Sequence, residues 1–292
     1  MSRYVIAVHG GCGGWERSDT GRALAGVRAA VQAARRLLHD GGSALDAVCA
    51  AVVLLEDDPL FNAGTGSVLN RDGEAEMDAS VMDGERLRCG GVAVLARVRN
   101  PVLVARRVMD ETPHALLAGA GAREFARSCG FPDYDPITAA RRAGHRRAAL
   151  TARVALGGTV GAVARDVAGR FAAATSTGGV ALKLPGRVGD SPIPGAGNYA
   201  TAHAAASATG HGELMLRRLA TKSVCDAIAA GKTAGAAARA VVARLGAEAD
   251  QSAGIIAIDG ASHCGVAVRG GLMPHAWFVQ DDARVSARVR AD

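Results

Sequence analysis

Thr159 and Thr177 carry the clearest chemistry in this chain. Thr159 follows two glycines and opens the run Thr-Val-Gly-Ala-Val-Ala-Arg. A threonine hydroxyl in mid-chain is a poor nucleophile with no base attached. If the Gly158–Thr159 bond opens, Thr159 gains its own base, the freed α-amine, with a pKa of roughly 7.7–8.0. Glycine at position 158 suits such an opening because it tolerates a strained backbone. The pattern points to a chain that splits itself and then attacks with the new amino terminus.

Such chemistry needs elements that hold the two hydroxyls together. Residues 160–165 and 170–175 are apolar runs separated by Asp166-Val167-Ala168-Gly169. A three-residue loop with Gly169 in the left-handed position is a common hairpin connection. Pairing Asp166 with Arg170 sets Thr159 opposite Thr177, to within a residue if a bulge intervenes, and within reach of a hydrogen bond, since opposed Cβ atoms lie about 4.5–5.5 Å apart. The plainer reading is that threonines favour strands. The small residues of both runs suit a tightly packed sheet buried on both faces.

Around this hairpin, Tyr4–Val8 reads as a buried strand ending at the turn His9-Gly10-Gly11-Cys12-Gly13-Gly14. Helices are expected over about 20–39, with Asp19 as N-cap, and over 43–56, capped by Ser43 and stopped by Asp57-Asp58-Pro59. Residues 57–84 look poor in regular structure. A strand is expected at 90–96 and a helix at 114–129. Residues 141–158, rich in Ala and Arg, read as a flexible exposed linker. After a Gly/Pro-rich loop at 185–197, helices are expected at 198–207, 212–230 and 233–246. A hairpin of 254–258 with 264–268 closes the chain. Hairpins and helices in blocks, not strict alternation, imply an α+β fold of antiparallel sheets covered by helices.

The 292 residues are 49% hydrophobic and 21% charged, enough for a sizeable core in one large domain. Aromatics make up only 3%, so Ala, Val and Leu must fill that core. The net charge is +6, and Arg141, Arg142, Arg146, Arg147 and Arg153 cluster in one segment. With no aromatic platform or recognition helix, this reads as a solvated linker and not as a nucleic-acid site. Six scattered cysteines form no C-x-x-C pair, which fits reduced thiols in a cytoplasmic protein. No apolar run reaches the roughly 18 residues of a membrane span. Cys12 beside His9 could form a Cys–His nucleophile pair. The glycine-rich turn could suggest phosphate binding, but it lacks the Lys-Ser/Thr of a P-loop.

Several blocks carry a resemblance. GGTVGAVARDVAGRFAAATSTGG (157–179), PGRVGDSPIPGAGNYA (185–200) and ATGHGE (208–213) resemble the nucleophile hairpin, substrate loop and oxyanion turn of plant-type L-asparaginases, or isoaspartyl aminopeptidases. HGGCGG (9–14), LEDDPLFNAGTGSVLNRDGEAEMDASVMDG (55–84) and TPHALLAGAGAREFA (112–126) match the family's first half, in the right order. These are N-terminal-nucleophile hydrolases. The resemblance implies a four-layer αββα sandwich and cleavage into an α chain, 1–158, and a β chain, 159–292. It further implies a homodimer of αβ units acting on L-asparagine or β-aspartyl dipeptides.

On that resemblance Thr159 is the nucleophile and Thr177 orients it. Arg187 takes the substrate α-carboxylate and Asp190 its α-ammonium. Thr209 and the Gly210 N–H hold the oxyanion, and Asn62 supports the nucleophile. The backbone carbonyls of Leu55, Glu56, Asp58, Phe61, Ala63 and Thr65 correspond to a sodium loop; no cofactor is implied for catalysis. Arg187 and Asp190 could equally form a plain loop salt bridge, and Gly210-His211-Gly212 a simple turn. His9 and His211 read as structural. Two rivals remain: a glycosylasparaginase, which shares GDSPIPGAG and an ATG turn, and a non-cleaving scaffold of the same fold. The Arg-rich linker and the segment 270–277 depart from the family pattern.

Overall fold

The computed structural model describes residues 2–151, 158–246 and 251–291. The chain begins with β1 (Val5–His9), α1 (Arg17–His39) and α2 (Ala44–Asp57). It continues through β2 (Met77–Asp83), β3 (Arg88–Leu95), α3 (Pro101–Glu111), β4 (Leu116–Ala118), α4 (Gly119–Ser128) and α5 (Ala139–Thr151). The second half has β5 (Val160–Arg165), β6 (Phe171–Thr177), β7 (Asn198–Ala200) and β8 (Ala204–Gly210). Helices α6 (Gly212–Arg218), α7 (Ala220–Ala229) and α8 (Ala234–Gly246) follow. Strands β9 (Ala253–Asp259), β10 (Cys264–Arg269), β11 (His275–Val279) and β12 (Ser286–Arg288) come last.

Eight strands form one sheet in the order β12-β11-β1-β5-β6-β2-β3-β4, and four form a second in the order β10-β9-β8-β7. Neighbours are antiparallel apart from the β3–β4 pair. Strand side chains alternate between faces, and the cores follow that parity. Ile6, Val8, Ala162, Ala164, Ala172 and Ala174 pack on one side with residues of α1 and α2. Val5, Ala7, Val163, Phe171 and Ala173 meet Ala205, Ile256 and Ile258 of the small sheet. On the far side, Ala204, Ala206, Ala208, Ile255 and Ala257 pack with residues of α7 and α8. The result is helix, sheet, sheet, helix. Alanine at so many strand positions lets the layers approach closely, so a core poor in aromatics is still fully buried.

Several elements differ from the sequence expectation. Residues 198–207 form strands β7 and β8, not a helix. The alanines favour a helix locally, but alternate residues face two different cores, and tertiary packing overrides propensity. Residues 57–84 include β2, a central strand buried along nearly its whole length. The hairpin β9–β10 does not close the chain, because β11 runs back to pair with β1. The helix expected at 212–230 breaks at Leu219, whose φ of 44° is left-handed. The helix expected from 114 starts later, at Gly119, after the short strand β4. Helix α1 starts at Arg17 with Glu16 as N-cap, ahead of Asp19. Ser43 does cap α2, accepting from Asp46 N.

The expected linker is corrected most. Residues 139–151 form α5, a helix favoured by its Ala and Arg content. Thr138 Oγ1 accepts from Arg141 N at its start. Arg141 is not solvated: it turns into the protein and donates to the carbonyls of Gly66, Leu60 and Phe61. Arg142 pairs with Asp135 at 3.2 Å, and Arg146 and Arg147 are exposed. Residues 152–157 of the expected linker, with Arg153, lie outside the described residues. Among the described residues, no helix is long and apolar enough to cross a membrane.

Candidate active site

The hairpin loop fixes the register of β5 and β6. Asp166 N donates to Arg170 O at 3.0 Å, Gly169 has a φ of 85°, and Arg165 pairs with Phe171. The pairing runs unbroken to Val160–Ser176, so the next pair is Thr159–Thr177. Both share parity with Val163 and Ala173, so they face the gap between the sheets, as does Thr209 on β8. The three threonines meet where the two sheets open.

Their hydrogen bonds define donor and acceptor roles. Thr159 Oγ1 donates to Thr177 Oγ1 at 3.1 Å, and Gly179 N donates to the same oxygen at 3.0 Å. Thr209 Oγ1 accepts from Thr159 N at 3.3 Å and from Cys12 N at 2.9 Å. A hydroxyl has two acceptor sites and one proton. With both acceptor sites taken, the Thr209 O–H is left to donate to a third group. Gly210 follows with a φ of 131°, beside Ser252 O and Ala253.

Asn62 braces this arrangement from the loop after α2. Its Nδ2 donates to Gly179 O at 2.8 Å and its Oδ1 accepts from Val68 N at 2.8 Å. Its main-chain oxygen accepts from Gly178 N at 3.0 Å. The turn behind Thr177 is thereby held on three sides. Gly11, with a φ of 102°, lies so close to Gly158 that a Cβ would stand 2.4 Å from the Gly158 Cα.

Arg187 and Asp190 stand together around Gly212, where a Cβ would lie 2.9 Å from Arg187 Nη2 and 2.8 Å from Asp190 Oδ1. They do not form the loop salt bridge that the sequence left open. Arg187 instead pairs with Glu213 Oε1, through Nε at 3.0 Å and Nη2 at 2.8 Å. Asp190 is buried, and its Oδ2 has no hydrogen-bond partner. Burial lifts its pKa to about 7, with Asp78 and Glu213 adding to the rise and Arg187 opposing it. A buried, unpaired carboxyl oxygen beside a guanidinium has the chemistry to receive a group with both an ammonium and a carboxylate.

Sequence reasoning missed several neighbours. Glu213 stands in the ATGHGE block and could have been found there; the Arg187–Glu213 contact needs the fold. Asp78 lies opposite Thr177 on β2 and accepts from Val94 N at 2.9 Å and Gly189 N at 3.3 Å. Lys183 is buried against Glu76 O at 2.6 Å, and burial lowers its pKa. Ser207 links His9 Nε2 and Thr175 Oγ1, each at 2.9 Å. Gly161 must lack a side chain, because a Cβ there would sit 2.1 Å from Ser207 Oγ.

Cys12 and His9 do not form a nucleophile pair. Cys12 Sγ faces Arg269 O, and burial pushes its thiol up to about 12. His9 is buried and neutral: burial drops it to about 3, with His275 adding to the fall and its hydrogen bond to the Thr159 backbone opposing it. The unfolded His9 binds a proton below about 6.5, whereas the folded one does so only near 3. Its contribution is absent above pH 6.5 and costs stability as pH falls, by about 1.4 kcal/mol per unit. Urea unfolding between pH 7 and pH 5 is expected to show a shallower loss in His9→Gln than in the wild type. His275, also lowered by burial, keeps its own share of the slope in both.

The six carbonyls expected to hold sodium are hard oxygen donors of the kind such an ion takes. Glu56 O accepts from Thr65 N at 2.7 Å, and Asp58 O accepts from Phe61 N at 3.1 Å. Each oxygen keeps a second lone pair. Glu56 Oε2, in the last turn of α2, is buried without a partner, and burial raises the pKa of that carboxyl to about 8, so the carbonyls and not this side chain are the donors. The donor chemistry fits a cation of this class, with Phe61 O left one lone pair for it because Arg141 Nη2 takes the other. Among the described residues, no cluster of His, Cys, Asp and Glu could hold a metal ion.

Comparison with known proteins places this geometry. The profile of the asparaginase family matches residues 2–286. An isoaspartyl peptidase of Salmonella typhimurium is 44% identical, over 99% of this chain and 100% of its own length. A plant-type L-asparaginase of Pyrococcus furiosus is 44% identical over 94% of this chain and 96% of its own. An isoaspartyl peptidase/L-asparaginase of Danio rerio is 41% identical over 87% and 86%. With a profile match from end to end and two sheets sandwiched between helices, this chain belongs to the asparaginase family and has the fold of the N-terminal-nucleophile hydrolases.

Proposed function

We propose that this protein is a self-processing threonine amidohydrolase that releases L-aspartate from L-asparagine or β-aspartyl dipeptides. One observation carries the reading: both reactive atoms of Thr159 are already held, Oγ1 by Thr177 and N by Thr209. The names of the relatives agree with it.

Processing begins when Thr159 Oγ attacks the Gly158 carbonyl carbon. The C–N bond breaks, its nitrogen takes a proton, and an ester remains. Water hydrolyses the ester, leaving a carboxylate on Gly158 and a free amine and hydroxyl on Thr159. The products are an α chain of 1–158 and a β chain of 159–292. In turnover that amine takes the Thr159 hydroxyl proton as Oγ attacks the substrate amide. The Thr209 O–H and the Gly210 N–H receive the oxyanion, a role worth about 10²–10³ in rate per donor. Arg187 and Asp190 take the α-carboxylate and α-ammonium. The leaving amine is protonated, and water then releases aspartate from the acyl ester. A sodium ion on the carbonyls of Leu55, Glu56, Asp58, Phe61, Ala63 and Thr65 would brace the loop that carries Asn62.

A denaturing gel tests processing: purified protein is expected to pass from one band to two of about half size. Aspartate release should rise in step, and material that stays whole yet hydrolyses these amides at full speed sinks the reading. A glycosylasparaginase is the rival within the fold. Thr177-Gly178-Gly179 favours the first reading, since the rival typically has Asn in the middle of that triplet. Turnover of β-aspartyl dipeptides is expected to exceed turnover of an N4-glycosylated asparagine by at least about tenfold, the discrimination one pocket contact supplies. The opposite order would favour the rival. A full-length band that persists without turnover would mark the scaffold. Assembly as a homodimer of αβ units, checked by light scattering, and a cytoplasmic setting that keeps the cysteines reduced complete the proposal.

A further inference from the structure

Arg141 sits in the first turn of α5, eighteen residues before Thr159 in the sequence. Its guanidinium leaves the solvent and enters the loop that carries Asn62. Nε donates to Gly66 O, and Nη2 donates to Leu60 O at 3.3 Å and Phe61 O at 3.2 Å. One turn along, His145 Nε2 meets Asn70 O at 3.0 Å and fastens the helix a second time. Three carbonyls on one planar cation fix the loop in a way a single ammonium would not.

The loop connects Arg141 to the reacting threonine. Leu60 and Phe61 directly precede Asn62. Asn62 holds Gly178 N at 3.0 Å and Gly179 O at 2.8 Å. Gly179 N holds Thr177 Oγ1, which accepts from Thr159 Oγ1. We propose that Arg141 is a positioning residue: helix α5 clamps the Asn62 loop through three carbonyls, and this clamp aligns Thr177 with Thr159 in processing and in turnover. Helix α5 is then a working part of the mature protein and not a tail shed by cleavage. The proposal rests on the reading of Thr159 as nucleophile.

The test uses Arg141→Ala in the full chain. A cavity of about 450 Å³ lined by Arg141, His145, Asn62 and Gly158 gives small solutes access to the vacated place. Misplacing a reacting group by about 1 Å can cost roughly 10²-fold. Splitting and kcat are therefore each expected to fall by about 10- to 100-fold. KM for L-asparagine should stay within about twofold, because Arg187 and Asp190 are untouched. Millimolar guanidinium ion should restore much of kcat in the variant and none in the wild type. Unchanged splitting and kcat, a change confined to KM, or no response to guanidinium would overturn the proposal. Should the alanine variant not fold, Arg141→Lys keeps the charge without the fork, and the same division between kcat and KM decides. A wild type that neither splits nor hydrolyses would instead overturn the functional reading.

Discussion

Thr159→Ala is expected to remain a single full-length chain and to lose turnover by about 10⁴-fold or more. On the proposed function one substitution removes both activities, because one oxygen serves both. The alanine cannot form the ester that opens the Gly158 linkage, so no amine is released to act as base. Structure should barely change. Thr159 is buried at a strand start, and its loss removes one hydrogen bond, to a Thr177 hydroxyl that still accepts from Gly179 N. A denaturing gel and an aspartate-release assay on the same sample check both outcomes. Thr159→Ser offers the complementary measurement: it keeps the oxygen and should split and turn over, with a looser hydroxyl and a lower rate. A Thr159→Ala protein that still divides in two would place the scissile bond or the nucleophile elsewhere.

Asp190→Ala is expected to lower kcat/KM for L-asparagine by roughly 30- to 4,000-fold, mostly through KM. The range follows from about 2–5 kcal/mol for truncating one side of a buried charge pair. It exceeds a surface ion pair because Asp190 is buried and its Oδ2 has no other partner. The pH dependence separates this role from a structural one. With burial holding the free carboxyl near 7, about half of it is protonated at neutral pH and cannot take an ammonium. Raising the pH ionises it, so wild-type kcat/KM should climb through that region. The Thr159 amine, at roughly 7.7–8.0, must also lose its proton. Two deprotonations give a limiting slope of about 2 in log kcat/KM below pH 7. Asp190→Ala should reduce the slope to about 1, leaving the amine. An unchanged slope would remove Asp190 from substrate binding.

Glu213 shapes the same pocket. It takes Arg187 Nε and Nη2, the fork to which the proposed function assigns the substrate carboxylate. Burial raises and Arg187 lowers the pKa of Glu213, and the guanidinium prevails, so the pair is ionised. On the proposed function, the substrate carboxylate shares the guanidinium fork with Glu213, and the fork's five N–H donors allow it.

The hairpin and its register were legible in the amino acids. Residues 160–175 are adjacent in sequence, and the loop Val167-Ala168-Gly169 puts position 159 against position 177 to within a bulge, which the unbroken β5–β6 register lacks. A slip of one residue would turn every side chain to the opposite face. Helices α1, α2 and α8 were legible for a related reason, since apolar spacing is a local signal, helped at α2 by the Ser43 cap. The alanine-rich stretch 198–207 was not. Its composition suits a helix, and only the two cores on either side of β8 select a strand.

The sequence by itself therefore determined the Thr159–Thr177 pair and the glycine that precedes it, because turn chemistry and strand alternation act within about twenty residues. Tertiary structure alone decided that Thr209 accepts from Thr159 N, that Arg187 turns to Glu213, and that Arg141 enters the Asn62 loop. Each of those contacts joins elements that meet only when the two sheets and their helices pack, so side-chain volume and burial across layers set them, and neither can be read from neighbouring letters.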